Sequence, residues 1–139
     1  MQYKRLMGID FGEKRIGIAF SDPLNIISSA YEVYHSKSED DGIDHICKLI
    51  KDFNVETIAF GLPLNMDGTE GDRALRHKQI ADKISSLSGA KIVYIDERLT
   101  SVEAEELLKE SGMKWEKRKE VIDKVSAQII LQTYMNSKK

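Results

Sequence analysis

Arg5-Leu6-Met7-Gly8-Ile9-Asp10-Phe11, Gly12-Glu13-Lys14 and Arg15-Ile16-Gly17-Ile18-Ala19-Phe20 follow one another without a break and decide the architecture. The first run reads as a short apolar strand ending in a carboxylate, and the last as a second strand, closed by Ser21-Asp22-Pro23. Between them the glycine supplies the tight turn of a hairpin. With a period of two, Leu6, Gly8 and Asp10 share one face of the first strand, and Met7, Ile9 and Phe11 share the other. A carboxylate within an otherwise apolar strand demands a partner, a hydrogen bond or a cation, because an isolated buried charge is too costly. A turn aspartate capping the hairpin's amides is the plainer alternative.

Working outward, residues 25–34 are rich in Ile, Tyr and Val and predict a third strand. The period then changes: Ile43, Ile46, Cys47, Leu49, Ile50 and Phe53 recur at helical spacing over 41–53. Residues 57–60, Thr-Ile-Ala-Phe, are continuously apolar, as buried parallel strands are. The stretch 61–71 carries three glycines and a proline and predicts a loop. A helix is expected over 72–87, with Leu75, Ile80, Ile84 and Leu87 apolar, and a fifth strand over 92–95. Thr100 or Ser101 can cap the next helix, and a last helix is expected over 116–135. The order βββ-α-β-α-β-α-α gives an α/β fold, a mixed five-stranded sheet with helices packed on it, as a single domain over 1–139.

Composition narrows the function classes. Hydrophobic residues at 41% and charged ones at 32% fit a globular protein and exclude a disordered one. No apolar run approaches the roughly 20 residues that cross a bilayer, and residues 1–5 show no signal-peptide pattern, so the expectation is a cytoplasmic protein without membrane contact. The single Cys47 excludes an internal disulfide and a cysteine-based zinc site. Net charge is −2, which argues against bulk attraction to nucleic acid. From residue 109 onward, however, eight Lys or Arg stand against four Asp or Glu. That basic quarter could contact phosphates, or simply be solvated.

Two further acidic positions are informative. Asp96 and Glu97 follow the fifth strand at its C-terminal end, the edge of open α/β sheets where ligands bind. Adjacent residues of a strand point opposite ways, so one of the two faces the site. Arg98 beside them can pair with a carboxylate or reach a phosphate. Asp123 shares a helical stripe with Ala127, Ile130 and Tyr134, out of place on a face turned to the sheet unless salt-bridged, with Lys119 or Lys124 as partner. If the acids converge, oxygen ligands of this kind suit a hard divalent cation, which can activate water and stabilise a leaving oxygen. His35, His45 and His77 show no ligand spacing and are expected at the surface. The 61–71 loop exposes backbone amides, and Arg73 and Arg76 follow at a helix start, where phosphates are well received.

Residues 8–22 (GIDFGEKRIGIAFSD), 61–68 (GLPLNMDG), 96–101 (DERLTS) and Asp123 with 127–132 (AQIILQ) together resemble the YqgF family, also called RuvX. The resemblance implies an RNase H-like fold related to the Holliday junction resolvase RuvC. It also implies a bacterial nuclease linked to 5′-end processing of the 16S rRNA precursor, with junction resolution as an alternative. On the family pattern Asp10, Glu97 and Asp123 are the catalytic and metal-binding acids for Mg²⁺ or Mn²⁺. Lys14, Arg15 and Arg98 fall in its basic positions as substrate contacts. The partner implied is nucleic acid, structured RNA or branched DNA, and a resolvase would need a homodimer. One departure from the wider RNase H group stands out: where many members place a carboxylate at the end of the fourth strand, this chain has Gly61-Leu62-Pro63, so the acid must come from the fifth strand.

Two rival classes share parts of this pattern. The Ile9-Asp10-Phe11-Gly12 hairpin also resembles the first phosphate loop of the actin and sugar-kinase group, but those proteins close two such domains around ATP. A non-catalytic RNA-binding or ribosome-assembly protein would keep the fold and lose the reaction.

Overall fold

The computed structural model describes residues 4–98 and 100–138; the side chains of Ser101, Lys119 and Glu120 also lie outside the described set. The elements run β1 (Arg5–Phe11), β2 (Arg15–Ser21), β3 (Ser28–His35), α1 (Glu39–Asp52), β4 (Val55–Leu62), α2 (Asp72–Ser88), β5 (Lys91–Asp96), α3 (Thr100–Glu110) and α4 (Trp115–Ser137). The strands form one five-stranded sheet in the order β3-β2-β1-β4-β5. β1–β2 and β2–β3 are antiparallel, whereas β1–β4 and β4–β5 are parallel. The expected α/β order and mixed sheet are what the chain forms.

The period of two in β1 splits the core. Met7, Ile9 and Phe11 join Ile16, Ile18, Ile58 and Phe60 on one face, under Ile43, Ile46 and Ile50 of α1 and Ile80 and Ile84 of α2. Each fully buried isoleucine contributes roughly 1.5–3 kcal/mol of transfer free energy, so this face anchors the sheet. On the opposite face Ala19 and Ala59 meet Ala127, Ile130, Leu131 and Tyr134 of α4. That second layer is built on small residues because α4 lies close. A Cβ on Gly17 would run into the Asp123 carbonyl, and one on Gly8 into the Ala127 carbonyl.

Boundaries differ from the sequence reading where local hydrogen bonds intervene. β3 starts at Ser28 because Asp22 Oδ1 accepts from the Ile26 and Ile27 N–H groups at 2.6 and 2.9 Å, and Asn25 takes φ 57°. The side-chain turn consumes the residues before it. α1 begins at Glu39, since Ser38 Oγ accepts from Asp41 N at 3.0 Å as its N-cap. β4 runs on through Gly61 and Leu62, paired with β5 on one side, so the loop shortens to 63–71. In α2 the buried stripe is Ala74, Ile80, Ala81 and Ile84, while Leu75 and Leu87 are exposed. α3 starts at Thr100, which is therefore its first helical residue rather than the cap before it, and the side chains of Ser101 and of Lys119, the partner suggested for Asp123, lie outside the described set.

Candidate active site

Asp10 sits one residue from the end of β1, on the α4 face. Its cross-strand partner is Gly17. The same glycine lies beneath the backbone of Asp123, so β2 carries no side chain there to separate the two acids. Glu97 is the first residue past β5, and its N–H donates to the Leu62 carbonyl at 3.2 Å. That bond turns the chain inward over β4. The Glu97 carboxyl then fills the space above Gly61, where any Cβ would collide with Oε2. The missing fourth-strand acid thus has a steric counterpart: the glycine leaves room for an acid delivered by the neighbouring strand.

Glu97, not Asp96, meets Asp10, and the two carboxyls share a hydrogen bond. Asp96 turns the other way, accepting from Arg98 Nε and Nη2 at 2.9 and 2.7 Å. Arg98 Nη1 donates to the Met66 carbonyl at 3.1 Å. Its guanidinium therefore braces the 63–71 loop against the end of β5. Among the sequence-derived cations, Lys14 stands exposed on the β1–β2 turn, and Arg15 Nε lies 3.3 Å from Asp123 Oδ2. That approach is an ion pair without hydrogen-bond geometry, and Asp123 Oδ2 is buried with no hydrogen-bond partner.

Electrostatics mark the cluster as strained. Burial, followed by the Glu97 and Asp123 charges, pushes the Asp10 carboxyl from 3.8 up to about 8, with His77 opposing the rise. Burial also raises Glu97, against the Asp10 hydrogen bond and the Arg73 charge. Asp123 is raised by burial, offset by Arg15 and His35. At neutral pH the Asp10–Glu97 pair thus holds a proton. Among the described residues no group of three or more His, Cys, Asp or Glu side chains stands close enough, as placed, to hold a metal ion. Asp10 and Glu97 are joined, and Asp123 is held off by Arg15. The donor set still fits a hard cation: three carboxylates from three elements, one with an orphaned buried oxygen, all in want of positive charge.

His77 was not legible as part of this region. Of the three histidines only His35 is exposed as expected. His45 is half-buried, stacked on Tyr34 and bonded to Glu32. His77 Nε2 lies 2.8 Å from the Phe11 carbonyl, next to Asp10, and its Nδ1 lies 2.9 Å from the Arg73 carbonyl. It staples α2 to the end of β1 across a sequence gap that no spacing rule reports.

Known proteins are similar to this chain over nearly its whole length. Residues 4–137 match the family model RuvX, described as "Holliday junction resolvase". A Dictyoglomus thermophilum protein named "Putative pre-16S rRNA nuclease" is 41% identical over 133 residues, covering 96% of each chain. A Streptococcus equi subsp. equi protein of the same name is 42% identical over 135 residues, covering 95% of this chain and 97% of its own. The fold is that of "T. thermophilus RuvC in complex with Holliday junction substrate", with a TM-score of 0.58 over 98% of this chain and 96% of that one at 13% identity. That RuvC likeness fixes the RNase H-like fold, and with near-full-length relatives at two-fifths identity the chain belongs to the RuvX family.

Proposed function

We propose that the chain is a metal-dependent nuclease that hydrolyses nucleic-acid phosphodiesters, acting in 5′-end processing of pre-16S rRNA in the cytoplasm. The observation that carries this reading is the meeting of Asp10 and Glu97 over Gly61, with Asp123 across Gly17. Relatives over nearly the whole length carry the pre-16S rRNA nuclease name, which supports the substrate. The 1–139 chain would then act as one catalytic domain.

Asp10, Glu97 and Asp123 would hold Mg²⁺ or Mn²⁺. A bound ion of this kind supplies charge for the phosphoryl oxygens and lowers the pKa of water. The chain's own groups do the rest. Without a cation the Asp10–Glu97 pair carries a proton at neutral pH, which is released as both carboxylates turn to a bound divalent ion. Arg15 keeps the Asp123 carboxylate turned toward the hairpin. Lys14 on the β1–β2 turn and Arg15 at the start of β2 meet the substrate's phosphates, and Arg98 holds the 63–71 loop against the end of β5. In-line attack of water on phosphorus forms one P–O bond and breaks another, releasing a ribose or deoxyribose oxygen with no covalent enzyme intermediate.

Junction resolution is the second reading, favoured by the family description and by the RuvC fold. It requires a homodimer, since two strands must be cut. The test sets a 16S rRNA precursor beside a synthetic four-way junction, each with Mg²⁺ or Mn²⁺, using wild-type protein and Asp10→Asn. Cleavage of the precursor that disappears in Asp10→Asn is expected. An Asp10→Asn protein cutting at the wild-type rate would overturn the assignment.

A further inference from the structure

A groove of about 660 Å³ opens round the end of β1 from the carboxylates, between the β1–β2 turn and α2. Its volume falls within the range of small-molecule and nucleotide sites. Lys14 and Lys37 stand on one wall, Arg73 and Arg76 on the other, and Phe11 and His77 form the floor. Both walls are fixed. The Ser36 N–H donates to the Lys14 carbonyl at 3.0 Å, and the Lys37 N–H to Asp41 Oδ2 at 2.9 Å, so the two lysine-bearing loops move as one. Across the groove, His77 ties α2 to the Phe11 carbonyl.

Charge decides what such a groove takes. Glu13 and Glu39 also line it. Glu39, however, is already engaged by Arg76 and Lys83. Lys14, Lys37 and Arg73 make no ion pair among the described residues, and they outnumber Glu13. Arg73 also lies close enough to Glu97 to favour its ionised form, which joins this groove to the carboxylates. An excess of cations outside any ion pair, in a groove lined by Phe11 directly after Asp10 in β1, suits a chain of phosphates rather than one isolated anion.

Resting on the nuclease reading above, we infer that this groove binds the backbone phosphates of a single nucleic-acid strand continuing from the cleaved bond. Lys37 is the residue that isolates the idea. It is exposed, lies in the loop before α1, and has no part in the carboxylate cluster. Recognition of phosphates carries no sequence or sugar information, so RNA and DNA strands should be held alike.

The test measures fluorescence anisotropy of a fluorescein-labelled single-stranded RNA of about twenty nucleotides, and its DNA counterpart, in EDTA over a salt series. Wild type, Lys37→Ala, Lys37→Glu and a control on α3, Lys109→Ala, are compared, with thermal unfolding to verify folding. Lys37→Ala is expected to weaken both strands several-fold and to lower the log–log salt slope by about 0.7, the value for one single-strand phosphate contact. Lys37→Glu should weaken them further, and Lys109→Ala should leave both quantities unchanged. Unchanged affinity and slope in a folded Lys37→Glu would overturn the groove. The nuclease reading is tested separately with the p-nitrophenyl ester of thymidine 5′-monophosphate and Mn²⁺, a substrate too short to fill the groove. Wild-type protein that leaves this ester intact counts against the nuclease, whereas a Lys37 variant that loses ester cleavage along with strand binding counts against a separate strand site.

Discussion

Replacing Asp10 by Asn should stabilise the cation-free protein, and by an amount that depends on pH. The folded-state pKa of Asp10 is raised from 3.8 to about 8, chiefly by burial and then by Glu97 and Asp123. Below pH ~4 both folded and unfolded chains hold the proton, and the group costs nothing. As pH rises toward 8 the unfolded chain releases that proton while the folded chain keeps it, so stability falls across this window and levels off above it. At about 1.4 kcal/mol per unit, the whole displacement would amount to roughly 6 kcal/mol. Relaxation around an ionised Asp10 and entry of water reduce this, and about 3 kcal/mol is the expected loss by pH 8. Asparagine cannot ionise, yet its amide can still donate to Glu97. For a chain of this length, 3 kcal/mol corresponds to about 10 °C in Tm. Thermal unfolding in EDTA at pH 4, 6 and 8 should therefore show the two proteins close together at pH 4 and Asp10→Asn ahead at pH 8. Adding Mn²⁺ at about 100 times its Kd should return about 2.7 kcal/mol to the wild type alone. A variant that melts below wild type at pH 8 without cation, or a gap that ignores pH, would refute the reasoning.

Two other substitutions probe the surroundings of the acids. Gly61→Ala puts a methyl group where Glu97 Oε2 and, close behind it, the buried Ile130 Cδ1 now lie; the flexible acid gives way first, so cleavage should fall by up to about 10²-fold, and crowding of Ile130 should cost about 1–3 kcal/mol. Full activity in that variant would show that the gap over β4 does not place Glu97. Arg98→Ala removes the fork to Asp96 and the bond to Met66. It should cost at most about 1 kcal/mol, as exposed ion pairs do, and speed amide exchange at Gly68, whose N–H donates to Asn65. As a brace, Arg98 should leave the salt dependence of substrate binding unchanged. A slope smaller by about 0.7 to 0.9 would instead make it a direct phosphate contact.

Packing is what makes the three carboxylates expensive to ionise. Asp10 and Glu97 are ordinary residue types, and their raised pKa values come first from burial and, for Asp10, then from the Glu97 and Asp123 charges. The same closeness that Gly8 and Gly17 permit between α4 and the sheet brings the Asp123 charge near enough to raise the Asp10 pKa. Any substitution that lifts α4 therefore acts on chemistry as well as on stability.

Sequence periodicity alone determined the element order, the two faces of β1 and the oddity of Asp10, because alternation and helical spacing are local properties written in neighbouring residues. It also showed that the fourth strand ends without an acid. What it left open was settled by contacts between distant segments. Glu97 rather than Asp96 turns toward Asp10 because its N–H is caught by Leu62 and its side chain finds room above Gly61. Arg98 is drawn into the Asp96 fork and the 63–71 loop, and His77 reaches the Phe11 carbonyl from 66 residues away. Such pairings depend on how layers stack, and no spacing within a single segment encodes them.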